Sequence, residues 1–366
     1  MFVIGDTHFG RMNDIVWDGM LTNRLRDTKA RVCEVIDKAA QAGESVVIVG
    51  DLFDSPNPKP IVLVHVFDIF NRAMRQNVPM YIISGNHDCG VDYSALMAGA
   101  GANFQNVHFI TEIETMPVDG ITCAFLPHLP AAEVVGGAPL ADRLREGIAG
   151  SGAKILFTHA HVYGAKNSSD VEIEAGNAID LRPETFPQFD LVVCGHIHKA
   201  QVINDKYVYT GSVIPCDYSE CEDYKSYIRI QGMEWEHYPF ETKIQDYKHV
   251  TVDLVTKDSV EFPDAKMKKL IGGKLVKVTM FTNDLSKVDE YELRKAFNKH
   301  GQVTRFEVVL EKDNEEAPEI EDTKVSYEDM FSEWLASRDE KADVKKLALV
   351  CAKEVIGGIH AEADRA

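Results

Sequence analysis

The chain has 366 residues, with 39 Lys and Arg against 58 Asp and Glu, a formal charge of −19. That length accommodates a sizeable core and more than one domain, while the acidic balance argues against a free-standing protein that grips a nucleic-acid backbone. Seven cysteines, scattered and without a C-x-x-C pair, read as reduced intracellular thiols. A first strand beginning at Phe2 leaves no room for a signal peptide, and no apolar run approaches the ~20 residues of a membrane helix, so a cytoplasmic protein with no membrane association is expected.

Phe2–Ile4 reads as the first strand and Gly5-Asp6-Thr7-His8 as its exit. Segment 22–42 has the spacing of an amphipathic helix, with Leu25, Val32, Val35, Ile36 and Ala39 on one face. The next strand, VVIV at 46–49, ends at Gly50-Asp51, completing a βαβ unit. The helix after Pro60, IVLVHVFDIFNRAM, is apolar almost all round, which predicts burial on more than one side, in a deep core or a subunit interface. His65 within it is read as structural. Residues 80–83 form a strand leading into Gly85-Asn86-His87-Asp88, and 106–126 reads as two more strands joined at Asp119-Gly120. The run GSGAK, near 150, lacks the GK[ST] order and precedes a strand instead of following one, so an ATP site is not expected. Strands at 155–158 and 191–194 lead into THAH and GHIH, with a polar loop at 164–185 between them. More sheet follows to Phe240, including a strand at 207–210, making 1–247 one α/β domain. A small α+β module, 248–311, combines three strands with a helix at 286–299. An acidic linker, 312–325, then leads to a helical tail, 326–366, whose apolar faces either fold back or dock on another protein.

Five apolar strands thus end in Asp, His or Asn, with no aligned thiolates, the donor chemistry of a site for two first-row cations. Asp51, the lone carboxylate at its exit, suits a bridge between the two. Asp6, His8 and one of His196 and His198 would complete one metal; Asn86, His159 and the other histidine would complete the second. The metals, ~3.5–4 Å apart, would lower the pKa of a shared water and hold a phosphate for in-line attack. Two divalent ions against Asp6 and Asp51 leave a cationic spot in an acidic chain. His87 is left over beside Asp88, an arrangement that suits a general acid oriented by its neighbouring carboxylate, with an eighth ligand or a partner behind a ligand as the alternative. His161 is the rival of His159, His128 reads as loop, Cys194 as buried strand, and Lys199 as a solvated cation, with a contact to phosphate as the alternative.

These motifs, GDTH, GDLFD, GNHD, THAH and GHIH, resemble those of the calcineurin-like metallophosphoesterases. GHIHKAQ, YTGSVIPCDYSE and the tail VSYEDMFSEWLASRDEKADVKK are similar to SbcD-type nuclease subunits and to the recombination endonuclease subunit of T-even-type phages. The resemblance implies a four-layer αββα sandwich of two mixed sheets, a capping module, two manganese ions and cleavage of DNA phosphodiesters. It implies a homodimer, and C-terminal helices that bind a coiled-coil SbcC-type ATPase. By motif position it carries the metal ligands to Asp6, His8, Asp51, Asn86, His159, His196 and His198, and the phosphate-facing histidine to His87. Some relatives have a further histidine where this chain has Asp54, which leaves that imidazole's role without a counterpart here. A small-molecule phosphatase or cyclic-nucleotide phosphodiesterase would need neither the module nor the tail, and a catalytically dead scaffold would have lost ligands that this chain retains.

Overall fold

The computed structural model describes residues 1–11, 17–18, 21–99, 104–128, 148, 151–173, 180–181, 188–255 and 263–310. By contacts the chain divides into two units, Met1–Leu310 and Glu311–Ala366. The acidic linker and helical tail expected from the sequence lie outside the described residues.

Two six-stranded sheets form the centre of the first unit. In one, the parallel strands Phe2–Ile4, Val46–Ile48, Met80–Ile83 and Val107–Ile110 adjoin one another, and Ser226–Gln231 and Glu234–Pro239 extend it antiparallel beyond Phe2–Ile4. In the other, Tyr207–Tyr209, Leu191–Gly195, Ile155–His159 and Ile121–Leu126 run parallel between the antiparallel edge strands Gln201–Val202 and Glu114–Val118. Alternation of side chains divides each strand between two cores. Val3, Val47 and Val49 pack with Phe125, Phe157 and Val193 between the sheets, while Phe2, Ile4, Val46 and Ile48 face the helices on the outside. Each fully buried aliphatic or aromatic side chain stabilises the fold by roughly 1.5–3 kcal/mol before entropy is subtracted. The result is the α/β fold of two mixed sheets anticipated above. Helices cover the first sheet; the segments beyond the second fall largely outside the described residues.

The helix Asn23–Ala42 starts where the Thr22 hydroxyl accepts the Leu25 N–H and stops at Gly43, whose φ of 65° ends it in the left-handed region. Of the two settings expected for the helix Pro60–Arg75, a deep core or a subunit interface, the structure excludes the first. The helix buries Val62, Val66, Ile69, Phe70 and Ala73 on one face but leaves Val64 53% and Met74 38% exposed. Segment 106–126 differs from expectation: it supplies three strands, because Val107–Ile110 joins the first sheet and the hairpin Glu114–Val118/Ile121–Leu126 joins the second.

From Tyr247 the chain builds its own parallel sheet, ordered Tyr247–Asp253, Leu275–Thr282, Gln302–Leu310, around Val252, Ile271, Val276, Val278, Met280 and Phe297. Its crossovers use the expected helix, seen at Glu290–Asn298, and a second, Asp264–Ile271, that the sequence reading missed.

Candidate metal centre

Parallel strands in both sheets end on the same side, so their exit loops converge there. Phe2–Ile4 delivers Asp6 and His8, Val46–Ile48 delivers Asp51, and Met80–Ile83 delivers Asn86 and His87. From the second sheet come His159, His196 and His198. The turns are sharp. Asp6, His8, Asp51 and His196 all have positive φ (46°, 43°, 53° and 88°), a region that costs a non-glycine residue about 1–3 kcal/mol and persists only where the surroundings enforce it. Glycine permits the closest approaches: a Cβ on Gly50 would lie 2.0 Å from His159 Nδ1, and one on Gly85 would lie 2.1 Å from Asp51 Oδ1.

The donor atoms fall into two groups that share Asp51. On one side His8 Nε2 and His198 Nε2 face each other across 3.0 Å, with Asp6 Oδ1 4.0 Å from the latter. On the other side Asn86 Oδ1 lies 3.0 Å from both His159 Nε2 and His196 Nδ1. Between them, Asp51 Oδ2 is 3.5 Å from His8 Nε2 and 3.4 Å from His159 Nε2. The open choice between His196 and His198 is thereby resolved in space: His198 sides with Asp6 and His8, His196 with Asn86 and His159. Asp6, His8, Asp51 and His159 are all at most 3% exposed. Buried lone-pair atoms crowded this closely need a cation or shared protons.

Outer groups fix the rings, and the sequence reading missed most of them. His159 Nδ1–H donates to the Val49 carbonyl at 2.8 Å, turning Nε2 toward Asp51. His198 Nδ1 lies 2.8 Å from Glu220 Oε1, and the other Glu220 oxygen accepts from Lys225 Nζ at 2.7 Å and Cys216 N at 3.0 Å. His8 Nδ1 lies 3.2 Å from Asp54 Oδ1, which Arg11 Nη1 also contacts at 3.2 Å. Asp54 is therefore the carboxylate behind His8. Glu220 and Lys225 sit inside or beside the conspicuous YTGSVIPCDYSE stretch, yet nothing in their spacing ties them to His198.

The role expected of Asp88 needs correction. Its carboxylate does not orient His87. It is fully buried and accepts from Gly85 N (2.7 Å), Leu52 N (2.8 Å), Phe53 N (3.3 Å) and Tyr93 Oη (3.0 Å), stitching the Asp51 loop to the Asn86 loop. His87 is positioned instead by its backbone N–H, which donates to Asp51 Oδ1 at 2.9 Å, and by its Nδ1, 3.2 Å from the Asp54 carbonyl. Of the rival residues, His161 is buried in a short strand beside Tyr163, and Cys194 is buried strand, as expected. Lys199 is not freely solvated: its side chain is 23% exposed and its amine pairs with Asp170.

Residues 1–200 match the family of calcineurin-like phosphoesterases. The chain belongs to that family. Solved structures with similarity to it include TT1561 of Thermus thermophilus, 12% identical with a TM-score of 0.39, and a dimetal phosphatase from Danio rerio, 11% identical with a TM-score of 0.41. Each match covers 66% of this chain and 98% of the other. Membership makes this phosphoesterase a hydrolase of phosphoesters with a dimetal centre. Its residues fit such a centre: two clusters of buried nitrogen and oxygen donors meet at one shared carboxylate, and Asp6, His8 and Asp51 each bring a donor atom within 4.8 Å of the others.

Electrostatics prepare the phosphoesterase for cations. Burial holds His8 below the usual histidine range and takes His196 down to about 3, so both rings are neutral. Burial opposes a charge on His159 too, but the Asp51 carboxylate outweighs it and lifts His159 to about 9. Asp51 is held below the ordinary carboxylate range, its burial overcome by His159 and His8. Without metal, then, His159 keeps its proton at pH 7, and a coordinating imidazole must lose it. Manganese uptake at pH 7 is expected to release at least one proton, and apparent affinity to strengthen with rising pH until about 9. Calorimetric titrations in buffers of different ionisation enthalpy measure both; pH-independent uptake would contradict this assignment of the proton.

Proposed function

We propose that this phosphoesterase is a dimetal DNA nuclease, the SbcD-like subunit of an ATP-dependent complex acting in DNA recombination, repair and end processing. One observation carries the reading beyond the family. The parallel sheet of residues 247–310, which lies wholly outside the matched region, is fastened to the loop that holds His198. Tyr218 Oη bonds Thr304 Oγ1, and its ring meets Tyr247 edge-on at 5.7 Å; two residues further on, Glu220 takes His198 Nδ1. Asn23 Nδ2 donates to Tyr247 Oη at 2.8 Å from the other side. A centre braced against an added module suits a polymer that has to be admitted and aligned; a small ester requires no such support.

Divalent cations held by Asp6, His8, Asp51 and His198 and by Asp51, Asn86, His159 and His196, with manganese the expected metal and magnesium the substitute, would polarise the phosphoryl oxygens and acidify water. The chain's own residues do the rest. Asp51, common to both donor groups, would set the spacing of the two positions, and its contact with the His87 N–H ties that residue to the same carboxylate. The Asp54 carbonyl accepts from His87 Nδ1–H, fixing the ring and leaving Nε2 as the nitrogen that would protonate the departing oxygen.

His87→Gln is expected to lower DNA cleavage by about 10²–10⁴-fold while manganese content stays the same. The assay is hydrolysis of linear duplex DNA and of a chromogenic phosphomonoester by the purified chain with Mn²⁺. Brisk monoester turnover without DNA cleavage overturns the nuclease in favour of a phosphatase, and full activity in the variant overturns the acid.

Within the same reading, residues 326–366 dock on the coiled-coil ATPase, which supplies the positive DNA track that this acidic chain lacks. A second copy covers the exposed apolar side of the Pro60–Arg75 helix, where Ile61, Val64 and Met74 are open. Among the described residues no helix is long and apolar enough to cross a membrane.

A further inference from the structure

Beside the centre a cavity of about 240 Å³ opens between the His196–Lys199 segment and the loops at 167–169 and 219–220. Its walls differ in chemistry. His196 and His198, one from each donor group, form one side, with the Glu220 carboxylate behind His198; Ser168, Ser169 and Ser219 bring hydroxyls; Ile173 and Ile197 supply apolar surface; among the described lining residues Lys199 is the one lysine or arginine. Lys199 follows His198 directly; its side chain is 23% exposed, and its amine pairs with the exposed Asp170 carboxylate.

We infer that this cavity receives the nucleotide unit adjoining the scissile phosphate, with Lys199 facing the next phosphate along the strand. The inference rests on the nuclease reading and names the part of the strand that the centre grips. His196 and His198 belong to the two donor groups and also line the cavity, so a phosphate held by those groups would have its sugar beside the cavity. Isoleucines on one surface and hydroxyls on another suit a deoxyribose, which has an apolar face and polar edges. The second phosphate then meets Lys199, where a charge-assisted contact replaces the exposed Asp170 carboxylate.

Thymidine 3′,5′-bisphosphate and thymidine 5′-monophosphate are the probes, titrated calorimetrically into the manganese-loaded full chain. The bisphosphate is expected to bind about tenfold more tightly than the monophosphate, the margin of one good charged contact. Lys199→Ala should erase that margin, and Lys199→Arg should keep most of it. Equal affinity for the two probes in the natural chain, or an unchanged margin in Lys199→Ala, overturns the inference. Duplex cleavage, measured in parallel, separates the two ideas. A Lys199-dependent margin without DNA cleavage keeps the cavity as a nucleotide site and removes the nuclease, whereas DNA cleavage without the margin removes only the cavity's role.

Discussion

Asp51→Asn is expected to empty both metal positions and to reduce phosphodiester hydrolysis by at least about a thousandfold, because one side chain serves both donor groups. The carboxamide preserves volume and shape. Keeping the His87 N–H contact, 2.9 Å in the natural protein, requires its oxygen to face His87. Its NH₂ then occupies the place of Oδ2, 3.5 Å from His8 Nε2 and 3.4 Å from His159 Nε2, and presents hydrogens where a cation would sit. The fold should survive, since the strands beneath are held by the core between the sheets. Removing the carboxylate also removes what lifts His159 to about 9, so the variant's His159 should release its proton at lower pH. Metal analysis after dialysis against manganese, with circular dichroism as the fold control, reads the outcome; two equivalents of retained metal would contradict the bridging role.

Asp88→Ala should be the most destabilising single change near the site. The carboxylate accepts from three backbone N–H groups and one tyrosine hydroxyl in a fully buried position, and alanine leaves all four donors unpaired. At ~1–3 kcal/mol for each orphaned group, and with incomplete additivity, a loss of about 3–5 kcal/mol is expected. Function should suffer with stability: Leu52 N follows Asp51 and Gly85 N precedes Asn86, so freeing the two loops lets ligands of different metal positions drift apart. Thermal unfolding and manganese affinity should fall together. A normal melting temperature combined with poor activity would return Asp88 to a direct catalytic part.

How much of this was legible in the sequence follows from how local each interaction is. Asp6, His8, Asp51, Asn86 and His159 each follow an apolar run directly, so reading strand ends was enough to collect them. Glu220 reaches His198 across 22 residues and Asp54 reaches His8 across 46, separations that only the folded chain closes. Asp88 misled for the opposite reason. It adjoins His87 in sequence, but the tight turn points its carboxylate down into the loop base, away from the imidazole. The Pro60–Arg75 helix read as apolar all round because composition does not distinguish Val62, buried under the core, from Val64, open to solvent. Val107–Ile110 and Glu114–Val118 look alike as strands, and which sheet each joins is decided by tertiary pairing alone. The crossover Asp264–Ile271 is short and lysine-rich, and its apolar contribution rests on Met267 and Ile271.

The most direct test is a crystal of the full chain saturated with manganese, with anomalous scattering recorded at the manganese edge. Two peaks are expected on opposite sides of the Asp51 carboxylate, one beside His8 and His198, the other beside His159 and Asn86. A single peak at saturation, or a pair away from Asp51, would contradict the two-metal account.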